Sequence, residues 1–219
     1  MSKLICIFPE DKTTDFLLPI YDQLETLSDF IGYRFDTNDS SKTKNLHDEL
    51  LQIAENDFII FLGHGASNKL YGSVDENGEK LTLFDKKNSE CIKKAVFVGV
   101  ACRSRDFADK HLPNYIGFGD ITSDYSEVLA VRNIEDPDYL EWASEEDITN
   151  FQSEFVGAIA DAVKLSECSD LCSLYRMMKL VFNKRIALLL VNRHLQHYRQ
   201  IADMLYDIND ELLLHTSRK

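Results

Sequence analysis

The chain is short of positive charge. Its 219 residues include 24 Lys and Arg against 37 Asp and Glu, which gives a formal net charge of −13. Nucleic-acid binding depends on contacts between basic side chains and phosphates, so this balance argues against a general nucleic-acid binder. It also disfavours adsorption to anionic membranes. We therefore expect no direct nucleic-acid partner and no membrane partner.

Long apolar runs are also lacking. The longest one in the C-terminal half, residues 186–191, is too short to cross a bilayer. The N-terminal run, residues 4–8, leads straight into Pro9 and two acidic residues, and it lacks the length and the cleavage region of a signal peptide. We expect a cytoplasmic protein.

Signatures of metals and cofactors are missing as well. The 5 cysteines are an odd number, and the close pair Cys168 and Cys172 has no second pair to complete a zinc site. His194 and His197, predicted to share a helix, lack a clearly placed third ligand. No Gly-Lys-Ser or Gly-Lys-Thr phosphate loop and no complete dinucleotide fingerprint occur. We expect reduced thiols, one of them reactive, and no cofactor or metal.

Apolar stretches alternate with helical patterns through the first part of the chain. Continuous apolar runs are typical of strands buried on both faces of a parallel sheet. The predicted strands are residues 4–8, 31–35, 58–62, 96–100 and 115–118. Asn77-Gly78 predicts a hairpin between the third and fourth of these strands. The order indicates an α/β domain with a mostly parallel sheet.

The C-terminal part differs in character. Residues 133–150 are rich in Asp and Glu and are interpreted as an acidic loop, and the chain beyond Gly157 is predicted to be helical almost to its end. Apolar residues recur there every seven positions. They indicate either helices that pack on the sheet or a helical arm that binds a partner or a second copy. We predict an α/β core over residues 1–150 and C-terminal helices over 151–219.

Two reactive residues follow two of the strongest predicted strands. His64 comes just after residues 58–62, and Cys102 just after residues 96–100. Active sites of open parallel sheets lie beyond the carboxyl ends of the strands, so neighbouring strands would bring these side chains together. Cys102 would be the nucleophile, and His64 would move the thiol proton and protonate the leaving amine. A helix starting at Arg103, together with the positive charges of Arg103 and Arg105, would favour the thiolate.

An oxyanion hole is predicted beside these two residues. Gly65 follows His64, and the absence of a side chain lets its N–H approach a substrate carbonyl. The N–H groups of Gly65 and Cys102 are the candidates.

These stretches resemble the caspase-like cysteine peptidases, and among them the CHAT-domain branch. The resemblance is carried by residues 58–65, residues 96–104 and residues 115–120, and it extends over about residues 4–126. It implies a caspase-haemoglobinase fold, a three-layer αβα sandwich with a C-terminal helical extension. It further implies a Cys–His dyad that cleaves peptide bonds of a protein substrate without a metal.

The specificity signatures of caspases and metacaspases are absent, since Val100 stands where those families carry Gln or an acid. Asp120 is a candidate for a pocket that receives a basic P1 side chain, with a solvated or capping Asp as the alternative. Glu10 and Asp11 are weaker candidates of the same kind.

Two functions follow from the resemblance. The first is an endopeptidase, activated by a protein partner or by homo-oligomer formation, in a bacterial stress or antiviral immune pathway by family analogy alone. The alternative is a catalytically silent caspase-like module that binds a partner through its C-terminal helices.

Overall fold

A mostly parallel sheet forms the centre of the computed structural model, which describes residues 3–217. The strands are β1 (Leu4–Pro9), β2 (Phe30–Phe35), β3 (Phe58–Leu62), β4 (Gly65–Ala66), β5 (Lys69–Val74), β6 (Lys80–Phe84), β7 (Val96–Val100), β8 (Asn114–Gly117) and β9 (Leu213–Thr216). The helices are α1 (Leu18–Glu25), α2 (Ser40–Leu50), α3 (Ser104–His111), α4 (Tyr125–Ile134), α5 (Glu145–Ser166), α6 (Leu171–Asn192) and α7 (Tyr198–Glu211). A 3-10 helix, Lys12–Leu17, precedes α1.

The central sheet has the strand order β2-β1-β3-β7-β8-β9. The first five of these strands run parallel, and β9 pairs with β8 in the antiparallel sense. In the pair of β3 and β7, Leu62 lies opposite Val100, so both strands end at the same level. A separate small sheet joins β4, β5 and β6, and its β5–β6 hairpin spans the predicted Asn77-Gly78 turn.

Helices cover both faces of the central sheet. Alternate strand residues point to opposite faces, so every buried strand feeds two apolar cores. One core joins the strands to α1, α5, α6 and α7, and the other joins them to α2 and α3. The predicted α/β class with a mostly parallel sheet is therefore confirmed, with helices in layers on either side.

The C-terminal helices belong to the first of these cores. Phe155 of α5, Phe182 of α6 and Leu205 of α7 are fully buried there. The predicted division between residues 150 and 151 falls within α5. The prediction that the chain is helical almost to its end is confirmed, with α6 ending at Asn192 and α7 beginning at Tyr198, whereas the edge strand β9 that follows was not predicted.

The acidic loop predicted over residues 133–150 is shorter than expected, since α4 ends at Ile134 and α5 begins at Glu145. Ser144 and Asp147 form a capping box, and acidic side chains in the first turn suit the positive end of the helix dipole. His194 and His197 lie in the connection between α6 and α7 and not on a shared helix face.

No helix among residues 3–217 has both the length and the apolar character needed to span a membrane.

The packing of α6 makes a direct prediction. Phe182→Ala removes a fully buried ring from the core shared with the sheet, so it should lower the free energy of unfolding by about 3–5 kcal/mol. Leu188→Ala, on the same helix but 45% exposed, should cost less than about 1 kcal/mol. Urea denaturation measures both, and equal losses would show that α6 does not pack as described.

Candidate active site

The paired ends of β3 and β7 bring His64 and Cys102 to one place. The two strands remain joined just past their ends, where the Gly63 N–H donates to the Val100 carbonyl at 3.2 Å. Both side chains line a single cavity, together with Phe16, Ile121 and Ser123 among others. Its volume is about 10 Å³, about the space that one water molecule needs. The two predicted reactive groups thus share one small pocket.

The Cys102 thiol is protonated and forms a hydrogen bond in this conformation. Its Sγ donates to the Ile121 carbonyl at 2.9 Å. Burial raises the pKa of the thiol to about 11, and the carboxylates of Glu127 and Asp120 also disfavour the thiolate. The prediction that the helix and neighbouring arginines favour the thiolate is therefore wrong for this conformation.

The arginines after Cys102 form ion pairs with acidic side chains. Arg103 pairs with Asp106 at 3.0 Å, and Arg105 lies 3.6 Å from both Asp106 and Glu211. Arg103 also occupies the left-handed region with φ 53°, and its N–H donates to the Gly119 carbonyl at 2.7 Å. The helix starts at Ser104, one residue later than predicted, so a sharp turn separates the thiol from the end of α3.

The His64 ring has a partner at each nitrogen. Its Nε2 lies 2.7 Å from Thr13 Oγ1 and 3.4 Å from Asp11 Oδ2. Its Nδ1 lies 3.1 Å from Lys80 Nζ, at the start of β6. Burial lowers the pKa of His64 to about 4, the Lys80 charge acts in the same direction, and Asp11 and Asp124 act against both. The imidazole is therefore neutral at pH 7.

No hydrogen bond joins Cys102 to His64 within residues 3–217. The thiol donates to Ile121, and the ring nitrogens contact Thr13, Asp11 and Lys80. The structure places the predicted dyad in one cavity with both members engaged by other groups.

Gly65 lies against the Cys102 backbone. A Cβ on Gly65 would lie 2.4 Å from the Cys102 carbonyl oxygen. Glycine is the only residue that avoids this clash, because it has no Cβ. Gly65 opens β4 and pairs with Leu70 of β5. The small sheet therefore holds one oxyanion candidate directly beside the other.

Asp120 lies near the thiol but outside the shared cavity. Its side chain is exposed and lines another cavity, of about 380 Å³, whose lining includes the acidic residues Asp207, Asp210 and Glu211. Glu10 is exposed. Asp11, predicted only as a weak pocket candidate, instead contacts His64.

Two residues of the site were not predicted from the sequence. Thr13 lies in the 3-10 helix after β1, and Lys80 lies at the start of β6, 16 residues from His64 along the chain. An isolated Lys or Thr in a polar segment carries no sequence signal. The hairpin predicted at Asn77-Gly78 was the one clue that β6 returns towards β3.

A scan of protein-family models and a search of curated proteins return no match for this chain. The resemblance to caspase-like peptidases therefore stays a prediction.

The buried thiol predicts a specific pH dependence. In a Cys172→Ser background, which removes a half-buried thiol, alkylation of Cys102 by iodoacetamide should rise about tenfold per pH unit from pH 7 to 10, because only the thiolate reacts. At pH 7 the rate should be about a hundredfold below that of a thiol with the ordinary pKa of 9.0, since the pKa is about 11. Residue-resolved mass spectrometry measures both, with denatured protein as the control. A plateau below pH 9 would contradict the assignment.

Proposed function

We propose that the chain is a cysteine endopeptidase of the caspase type, with a Cys102–His64 dyad and a latent resting state. The observation that carries the proposal is that both side chains line one cavity at the carboxyl ends of adjacent parallel strands. The three layers around a mostly parallel sheet support a caspase-haemoglobinase-like fold. The CHAT-type assignment remains part of this proposal.

The proposed reaction needs only groups of this chain. The Cys102 thiol passes its proton to His64, and the thiolate attacks the scissile carbonyl. The N–H groups of Gly65 and Cys102 receive the oxyanion, and His64 returns its proton to the leaving amine. Water then hydrolyses the thioester.

A larger cavity adjoins the small one and offers room for a peptide. It measures about 520 Å³ and shares Phe16 and Ser123 with the cavity of the dyad. Displacement of the segment that carries Ile121 and Ser123 would free the thiol and join the two spaces. The acid-lined cavity at Asp120 supports a preference for Lys or Arg at P1.

Lys80 is the proposed latch of the resting state. Its ammonium group is a donor only, so its contact with Nδ1 occupies the lone pair that a base needs. Its charge also lowers the pKa of His64 and thereby weakens the base. Since the Lys80 residue is exposed, an activating partner with acidic groups has access to it.

The peptidase proposal predicts a gain of activity on removal of the latch. Lys80→Met should cleave a peptide library with Lys or Arg at P1 at least about tenfold faster than the wild type, since a general base contributes about 10²–10⁴-fold. Adding Cys102→Ala or His64→Ala to Lys80→Met should abolish cleavage. Lys87→Met is the control: it removes an exposed charge from the loop that follows β6 and should leave the cleavage rate unchanged.

Mass spectrometry of the cleaved peptides gives the rates and the P1 preference together. Electrophilic peptides that differ at P1 report on the same site through covalent labelling of Cys102. Cleavage that survives Cys102→Ala, or Lys80→Met protein that neither cleaves nor labels, would contradict the proposal.

The alternative, a catalytically silent caspase-like module that binds through its C-terminal helices, has its own support. On α6, Leu180, Leu188 and Val191 are 58%, 45% and 75% exposed, a set of apolar side chains in water that is typical of a contact surface. This surface suits a second copy of the chain or an activating protein.

Light scattering tests the alternative. If this surface mediates self-association, the full chain should have a dimeric or larger mass, and Leu180→Asp with Val191→Asp should return it to a monomer. Lys184→Glu, an exposed charge change on the same helix, is the matched control. Truncation before α6 is unsuitable because it removes buried residues such as Phe182 from the core. A monomeric full chain would contradict self-association.

A further inference from the structure

Asp11 uses its two carboxylate oxygens in different ways. Oδ1 accepts from the backbone N–H of Thr13 at 2.9 Å and from the Thr13 hydroxyl at 2.7 Å. These contacts cap the 3-10 helix Lys12–Leu17. Oδ2 is buried and has no hydrogen-bond partner, and it lies 3.4 Å from His64 Nε2. Capping of the 3-10 helix accounts for the contacts of Oδ1, but it does not account for the burial of Oδ2.

The hydrogen-bond pattern around His64 determines its tautomer. Lys80 Nζ has no lone pair to offer, so Nδ1 must be the acceptor and Nε2 must carry the proton. The Nε2–H then points to Thr13 Oγ1, and the Thr13 hydroxyl donates onward to Asp11 Oδ1. A continuous chain of donors therefore runs from the ring to the Asp11 carboxylate.

Burial makes an unpaired carboxylate oxygen costly, by about 1–3 kcal/mol or more for a charged group. Only 6% of the Asp11 side chain is exposed. An oxygen kept in such a place, next to a ring that gains a positive charge during catalysis, is suited to stabilise that charge.

We propose that Asp11 is the positioning residue of His64, which holds the Nε2–H tautomer so that Nδ1 is the nitrogen that takes the Cys102 proton. This inference rests on the proposed peptidase function for its catalytic meaning. In the first step the S–H bond breaks and an Nδ1–H bond forms, which yields a thiolate and an imidazolium. Asp11 takes up no proton in this step, and its carboxylate stabilises the imidazolium at the Nε2–H side. The proton on Nδ1 later goes to the leaving amine.

His64 is surrounded by a defined set of charged and titratable groups. Lys80 faces Nδ1, Asp11 faces Nε2, Asp124 of the neighbouring loop also stabilises the protonated ring, and Cys102 lines the same cavity. Loss of Asp11 therefore removes one of two anions that favour protonation of the ring. The experiment uses Lys80→Met throughout, so that the tautomer is no longer imposed by the ammonium group.

The test is the side-chain ¹H–¹⁵N spectrum of the full chain, which reports the tautomer and the pKa of each of the 6 histidines. Lys80→Met with His64→Gln assigns the His64 signal. We expect Lys80→Met protein to show the Nε2–H tautomer. Adding Asp11→Asn should shift the population towards Nδ1–H and lower the pKa of His64, and it should slow labelling of Cys102 by roughly 10²-fold.

Two further variants separate positioning from capping. Asp11→Ser keeps an oxygen that can cap the 3-10 helix and should show the same loss of the Nε2–H preference. Asp15→Asn removes a carboxylate of the same helix that pairs with Arg34 at 3.1 Å, and it should leave the His64 spectrum unchanged. Thermal unfolding measured in parallel shows whether each variant is folded.

The outcomes are distinct. An unchanged tautomer and pKa in folded Asp11→Asn and Asp11→Ser proteins would overturn the assignment, as would an equal effect of Asp15→Asn. If the spectra change as expected but no variant cleaves peptides, the positioning contact stands and the peptidase proposal fails. If Lys80→Met protein cleaves peptides equally well with and without Asp11→Asn, the peptidase proposal stands and the positioning role fails.

Discussion

The parallel pairing of β3 with β7 is the constraint on which the site depends. Leu62 and Val100 face each other in register, so the residues after them leave the sheet side by side. Both strands are almost wholly buried and supply two cores at once. A slip of one residue would turn every side chain to the opposite face, so the packing holds the register firmly. The closeness of His64 and Cys102 is thus a property of the core and not of flexible loops.

The same burial suppresses charge on both reactive groups. Desolvation is the largest cause that raises the pKa of Cys102 and the largest that lowers the pKa of His64. A thiolate–imidazolium pair is therefore doubly disfavoured in this conformation. Any movement of the Ile121–Ser123 segment that admits water would relieve both effects together.

Sequence patterns predicted the buried strands because a strand covered on both faces needs an unbroken apolar run. They failed at β9, because the apolar residues at seven-residue spacing led to a prediction of helix almost to the chain end. The capping box at Ser144 was a readable signal for α5 that the surrounding acidic residues obscured. His64 and Cys102 follow strands and were predictable, whereas the Lys80 contact and the raised pKa of the thiol arise only from tertiary placement.

The antiparallel strand β9 limits how an extended chain approaches this sheet. It occupies the outer hydrogen-bonding side of β8, with Leu214 opposite Ile116. The backbone groups on that side of β8 are already paired, so an added polypeptide cannot form a ladder with β8. A peptide that reached His64 and Cys102 would therefore have to approach across the tips of the parallel strands, next to the small β4–β6 sheet.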